Sequence, residues 1–272
     1  MGRPKKEFHE YLTNASNSHI SHEEYLKAPA IAFLKYTVEA KSSIDLCIRY
    51  FPKKQDGKYT QDSFDSLQHL LTASLPTIMG HFETYQRYLF AGMFDMSVLI
   101  DGFDPEYFLK SLKKKTDIDI DWVRLSAHRG IGATSIGTLL ADSMSGWHNP
   151  TKVNSYFNTY NLQYTAFDND SQEKLNTLWQ LRHSIVHTGG TLSRADAQKV
   201  NSLRSYGETQ IAFEKHFIFE VARKLHPIIK QATEGLGNAY KQKLLPDLEQ
   251  AQLDQVDNFF KVKSSVASWL RQ

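Results

Sequence analysis

Apolar residues recur at helical spacing along most of the chain, and turn-forming residues separate the apolar segments. A first helical pattern covers residues 23 to about 51 and stops at the turn residues 52–57. Residues 63–99 are densely apolar and predict two helices, or one helix kinked at Pro76. These patterns predict an all-α protein.

Capping residues indicate where further helices begin and end. Asp104 precedes a proline and predicts a helix that starts with that proline. Asp168-Asn169-Asp170 supplies capping residues for another helix, and Asp170 with Glu173 has the spacing of a capping box. Gly189-Gly190 is expected to end this helix. This helix carries the residues of greatest chemical interest.

The last third of the chain predicts one polar connection and two helical segments. A polar, hairpin-like connection follows Gly190 to about residue 207, and a long helix is expected over residues 210 to about 231. Gly235-Leu236-Gly237 is predicted to end that helix, and the remaining residues are again amphipathic.

These elements divide the chain into three predicted segments. Residues 1–61 form an N-terminal arm and helix, because residues 1–21 are polar and precede the first helical pattern. Residues 62–234 form the main helical domain, and residues 235–272 form a C-terminal helical tail. The terminal helices are therefore expected as additions to the main helical domain.

Composition excludes several classes of protein. The 272 residues include 32 Lys plus Arg and 30 Asp plus Glu, so the net charge of +2 indicates no strong global field for nucleic acid or membrane. Cys47 is the only cysteine, which excludes an internal disulfide and a thiolate-rich metal site. The sequence has no apolar run of signal-peptide or membrane-spanning length, so we expect a cytoplasmic protein with no membrane partner.

One arginine interrupts the apolar stripe of the helix that ends at Gly189-Gly190. The stripe consists of five apolar residues at helical spacing, namely Leu175, Leu178, Trp179, Ile185 and Val186. Arg182 occupies the position where a sixth apolar residue should lie. Because arginine is almost never fully buried unless it is paired, this position requires a carboxylate, a phosphate or an opening onto a groove.

Two histidines lie close to this arginine along the helix. His183 and His187 are four residues apart and therefore lie on one flank. Arg182 and His187 differ by about 140° around the helix axis, so one chain does not bring their tips together automatically. A neighbouring copy of the chain could complete the geometry.

Three interpretations of this cluster remain open. In the first, Arg182 pairs with an internal carboxylate such as Glu83, and the histidines are surface or capping residues. The second is a metal site, which the His-x-x-x-His spacing permits, although no glutamate lies between the histidines and no third ligand is evident. The third is metal-free cleavage of RNA, in which histidines transfer protons and an arginine stabilises the charge on phosphorus oxygens.

The segment from Leu181 to Gly190 resembles the signature of HEPN domains, in which an arginine, a polar residue, three further residues and a histidine close a long helix. Arg182, His183 and His187 match the arginine, the polar position and the histidine of that motif. The resemblance extends over residues 62–234 and is closest to the RiboL-PSP branch of the family. Glu83 and Arg87 match an acidic and basic pair that HEPN proteins often carry.

The resemblance implies an up-and-down helical bundle that dimerises through the motif helix and cleaves RNA without a metal or other cofactor. It assigns catalysis to Arg182, His183 and His187, with Glu83 and Arg87 in support. Such enzymes act as toxins or phage-defence effectors, so an antitoxin or another defence-system protein is an expected partner. Some members bind nucleic acid or a partner protein without cutting RNA, and this non-catalytic role is the alternative.

Overall fold

The computed structural model describes residues 7, 9, 22–118 and 135–262. Most of the predicted N-terminal arm and residues 263–272 of the predicted tail lie outside this part of the chain. Within it, helices make up most of the regular structure, so the predicted all-α class is confirmed. No helix in the described ranges is both long and apolar enough to cross a bilayer.

The described secondary structure alternates long helices with short ones. In chain order the elements are α1 (His22–Lys27), α2 (Pro29–Tyr50), α3 (Gln61–Asp95), α4 (Pro105–Lys113), α5 (Ile136–Asp142), α6 (Pro150–Phe157), α7 (Asn169–His187), β1 (Thr191–Leu192), α8 (Arg194–Gln198), β2 (Thr209–Gln210), α9 (Phe217–Lys241) and α10 (Gln250–Phe259). Short 3₁₀ helices at Met96–Leu99, Asn158–Tyr160 and Asn201–Tyr206 follow α3, α6 and α8.

The central element is α3, which packs against α2, α5 and α7. Pro76 lies inside α3 without ending it, so the apolar segment forms one helix rather than two. A proline within a helix costs about 3 kcal/mol. Leu75 and Ile78 on either side of it are fully buried, and burying two such side chains contributes about 3–6 kcal/mol. Packing against the neighbouring helices therefore offsets the cost of the proline.

The helices before and after the main predicted domain share its core. Buried side chains from Tyr25 in α1 to Phe260 after α10 belong to one continuous cluster. The first predicted helix is divided in two, because α1 ends at Lys27 and α2 begins with Pro29. The start predicted beside Asp104 is confirmed, since its carboxylate accepts hydrogen bonds from the backbone N–H groups of Glu106 and Tyr107.

The predicted end of the long C-terminal helix is wrong. The helix begins later than expected, at Phe217, and α9 runs through Gly235 and Gly237 to Lys241. A Cβ atom at Gly235 would overlap the ring of Tyr164, and one at Gly237 would lie against Phe260. These glycines therefore permit close packing of aromatic side chains on α9 instead of ending it.

The connection between α7 and α9 contains more structure than its polar sequence predicts. β1 and β2 pair antiparallel, with Thr191 opposite Gln210 and Leu192 opposite Thr209. Between them α8 and a 3₁₀ helix enclose a small apolar cluster formed by Leu192, Ala197, Val200 and Leu203. Leu181 of α7 packs against this cluster, so the connection is fixed to the helix that precedes it.

We predict that Gly137→Ala destabilises the protein, because a Cβ atom there would overlap the backbone carbonyl of Ala91 where α5 crosses α3. The expected loss in the free energy of unfolding is about 1–3 kcal/mol. Gly80→Ala is the matched control, since a Cβ atom at this helical position meets no atom within 4 Å. Its helix propensity should raise stability by about 0.5–1 kcal/mol. Urea unfolding measures the stability of both variants. Equal midpoints for Gly137→Ala and Gly80→Ala would contradict the close contact between α5 and α3 at Gly137.

Candidate functional site

Helix α7 begins directly after the first of the three capping residues that its sequence offers. The N-cap is Asp168, whose carboxylate accepts a hydrogen bond of 2.8 Å from the backbone N–H of Ser171. This bond, more than any other influence, lowers the pKa of Asp168 from its usual value. The predicted capping box at Asp170 and Glu173 is therefore wrong, and Asp170 forms an ion pair with Lys174 on the helix surface.

The predicted end of α7 is confirmed. His187 is the last helical residue, and the backbone N–H groups of Thr188 and Gly190 both bond to the carbonyl oxygen of Ser184, each at 3.1 Å. Gly189 and Gly190 have φ angles of +62° and +83°, which strongly favour glycine. The chain turns there and enters β1, which leaves the last turn of α7 at the surface.

The apolar stripe of α7 is buried only in its first half. Leu175 is fully buried, and the indole of Trp179 packs near the ring of Phe82 on α3, with 6.4 Å between ring centroids. Val186, at the other end of the stripe, is 47% exposed. Arg182 lies between these regions and is half-buried. The stripe thus emerges from the core at the turn that carries the arginine.

The Arg182 guanidinium has no carboxylate partner within the described part of the chain. Its Nε atom is buried and donates no hydrogen bond to any acceptor in those ranges. The pairing with Glu83 that the sequence allowed does not occur, because Glu83 binds Arg87 instead. The charge of Arg182 is therefore not neutralised by Glu83.

His183 and His187 are exposed and adjacent on the last two turns of α7. Their ring centroids are 4.7 Å apart, with 43° between the ring planes. Asp196 of α8 lies within electrostatic range of His183. The pKa of Asp196 is lowered mainly by its hydrogen bond from Lys199, and also by Ser193 and by the charge of His183. The small unit after α7 thus contributes a carboxylate whose pKa responds to the charge of His183.

Glu83 and Arg87 form a separate network on α3. Arg87 donates from Nε (3.1 Å) and Nη2 (2.6 Å) to Glu83 Oε1, and from Nη1 (3.1 Å) to Asp142 at the end of α5. Glu83 follows Phe82, so the network lies close to the crossing of α3 and α7. Neither a hydrogen bond nor a ring contact joins it to Arg182 or the two histidines in the described ranges. The predicted site residues therefore fall into two separate groups, one on α3 and one on α7.

Two nearby polar residues could not be identified from the sequence. His148, in the turn before α6, contacts Trp179 edge to face, with 6.3 Å between ring centroids. Asp196 lies in the first turn of α8, and its backbone N–H donates a hydrogen bond to the N-cap Ser193. The Ser193-x-x-Asp196 pattern signals the start of this helix but not the interaction of Asp196 with His183. Both residues meet α7 only through tertiary packing, which sequence spacing does not reveal.

No group of three His, Cys, Asp or Glu side chains in residues 22–118 and 135–262 is arranged to hold a metal ion. Comparisons with models of protein families, with curated proteins and with solved structures found no match.

We predict that Asp168→Ala weakens α7 in a pH-dependent manner. Loss of the cap should lower the free energy of unfolding by about 1 kcal/mol at pH 7. Because the folded-state pKa of Asp168 is lowered, its carboxylate stabilises the protein above the ordinary pKa near 4, and this contribution disappears as pH falls through the lowered value. Urea unfolding at pH 7 and at about pH 2.5 measures the difference between wild type and variant.

The control for this prediction is Asp168→Asn, which keeps a capping oxygen but cannot titrate. It should cost less than Asp168→Ala at pH 7 and remove the pH dependence at this position. If Asp168→Ala lowers the free energy of unfolding by the same amount at both pH values, the charge of the Asp168 carboxylate does not contribute to capping.

Proposed function

We propose that the protein is a metal-independent endoribonuclease that acts as a homodimer, with its site at the end of α7. Arg182 stabilises negative charge on the phosphate, His187 transfers a proton, and His183 orients the phosphate or shares the proton transfer. Glu83 and Arg87 support the site from α3. The biological role that fits this activity is that of a toxin or antiviral defence effector, restrained by an antitoxin or another partner protein.

The proposed reaction uses the 2′-hydroxyl group of the RNA as the nucleophile. A histidine accepts the 2′-proton while the 2′-oxygen forms a bond to phosphorus, and the bond from phosphorus to the 5′-oxygen breaks. A second proton donor protonates the departing 5′-oxygen, which leaves a 2′,3′-cyclic phosphate and a 5′-hydroxyl. Arginine remains charged at every relevant pH and suits the phosphorane oxygens.

The observation that carries this proposal is a difference in ion pairing between Arg87 and Arg182. Arg87 is bonded to two carboxylates, whereas Arg182 has none among the described residues and lies on the turn next to an exposed histidine pair. An unneutralised guanidinium on a half-exposed turn is suited to bind an anion from outside the fold. A phosphate in RNA is such an anion.

A dimer formed through α7 would favour this proposal in two ways. Val186 is an exposed apolar residue on the turn that carries Arg182 and His187, and burying it against a second copy of α7 is favourable. A two-fold axis at this position would also place Arg182 of one protomer near His187 of its partner. Arg182 and His187 are separated around a single helix, but in such a dimer each site would contain Arg182 from one chain and His187 from the other.

The test measures cleavage of a fluorescent RNA oligonucleotide by purified protein in excess chelator. Wild type should cut equally well with and without chelator and should leave an oligonucleotide with a 2′-deoxyribose at the cleavage position intact. His187→Ala should reduce the rate about 10²- to 10⁴-fold, the range of general acid and base catalysis. Arg182→Ala should reduce it about 10²- to 10³-fold, and Arg182→Lys should restore little, since lysine lacks the planar fork.

Matched controls are His69→Ala and Arg49→Ala, which remove an exposed histidine from α3 and an exposed arginine from α2. Both should leave cleavage unchanged. Equal cleavage by wild type, Arg182→Ala and His187→Ala would overturn the proposed site. A wild type that binds RNA through Arg182 but never cuts it would establish the non-catalytic role instead.

A further inference from the structure

A third histidine lies against the helix that carries the proposed site, although it comes from a different part of the chain. His148 is exposed in the turn between α5 and α6. Its imidazole meets the indole of Trp179 edge to face, with 73° between the rings. Trp179 is buried, so His148 covers the side of α7 where the core meets solvent.

The turn that presents His148 is anchored on both sides. Trp147 is buried, and its Nε1 donates a hydrogen bond of 3.1 Å to the carbonyl oxygen of Ala141. Asn149 caps α6 by accepting a hydrogen bond from the backbone N–H of Lys152. The imidazole between these two residues forms no hydrogen bond with any other described residue. The turn that carries His148 is therefore fixed on both sides.

His148 and Arg182 meet the same turn of α7. Trp179 and Arg182 are three residues apart and differ by about 60° around the helix axis. A long side chain on a helix leans over the turn that precedes it, so the stem of Arg182 extends towards the turn that carries Trp179. The Arg182 side chain therefore begins one helical turn from the indole that His148 contacts.

Two buried donors on this stretch lack acceptors. Trp179 Nε1 and Arg182 Nε are both buried without a hydrogen-bond partner in the ranges that the structure describes. Buried donors are paired in most proteins, and each unpaired one costs about 1–3 kcal/mol. Two such donors, one turn apart on α7, are the arrangement expected where a ligand supplies the acceptors.

We propose that His148 is part of the RNA-binding site and stacks on a base adjacent to the phosphate that Arg182 binds. The inference rests on the proposed function, because it places single-stranded RNA along this flank of α7. Stacking on an imidazole tolerates any base, since every base has a π face, so His148 contributes affinity rather than sequence preference.

The experiment measures binding of a fluorescent single-stranded oligoribonucleotide in which 2′-O-methyl groups replace the nucleophile, so that binding is separated from cleavage. His148→Ala should weaken binding about fivefold or more, the effect of losing one stacked base. His148→Phe should bind within about twofold of wild type, because the phenyl ring preserves stacking. His69→Ala, the exposed histidine of α3, should bind like wild type. All variants should keep the wild-type unfolding midpoint.

Unchanged binding by His148→Ala overturns the inference. Binding by His148→Phe that is as weak as that of His148→Ala also overturns it, because the imidazole would then act through its nitrogens. A wild type that does not bind the oligonucleotide overturns both this inference and the proposed function. A wild type that binds it through His148 but leaves unmodified RNA uncut overturns the nuclease alone.

Discussion

The contact between Trp179 and Phe82 holds α7 against the longest helix of the protein, and the candidate site depends on that contact. On the core side, the indole fills the space between α7 and α3. On the solvent side, it meets the imidazole of His148. Arg182 follows on the next turn, where the apolar stripe leaves the core, so the packing of one aromatic side chain fixes the turn that carries the arginine.

The two arginines near this crossing show how the fold distributes its charges. Arg87 is satisfied by Glu83 and Asp142 and links α3 to α5, which is a structural role. Arg182 keeps a buried Nε without an acceptor among the described residues. Leaving such a donor unpaired costs about 1–3 kcal/mol. A fold that tolerates this cost beside two exposed histidines is consistent with a site that is completed by an external anion.

Local signals in the sequence predicted the parts of the fold that local chemistry controls. Asp104 marked the start of α4, and Gly189-Gly190 marked the end of α7, because capping depends on a few neighbouring residues. The helix end predicted at Gly235 and Gly237 is wrong because these glycines serve tertiary packing. They leave room for Tyr164 and Phe260, which come from other parts of the chain. Asp168 and Asp170 are both plausible caps, and only the backbone geometry distinguishes them.

The same distinction applies to the candidate site. The place of Arg182 in an apolar stripe was visible in the sequence, since helical periodicity fixes it, and the half-buried position of its side chain agrees. The separation of Glu83 and Arg87 from the histidines was not visible, because it depends on how α3 crosses α7. His148 could not be found either, since it meets α7 through a turn whose position is set by the buried Trp147.

The central claim is a site built from two copies of α7, and mixing two inactive variants tests it most directly. Each composite site needs Arg182 of one protomer and His187 of its partner, so a heterodimer of Arg182→Ala and His187→Ala chains regains one intact site of two. An equimolar mixture, unfolded together and refolded to exchange subunits, should recover about a quarter of wild-type RNA cleavage. A mixture that forms heterodimers but stays as inactive as either variant alone would contradict the claim.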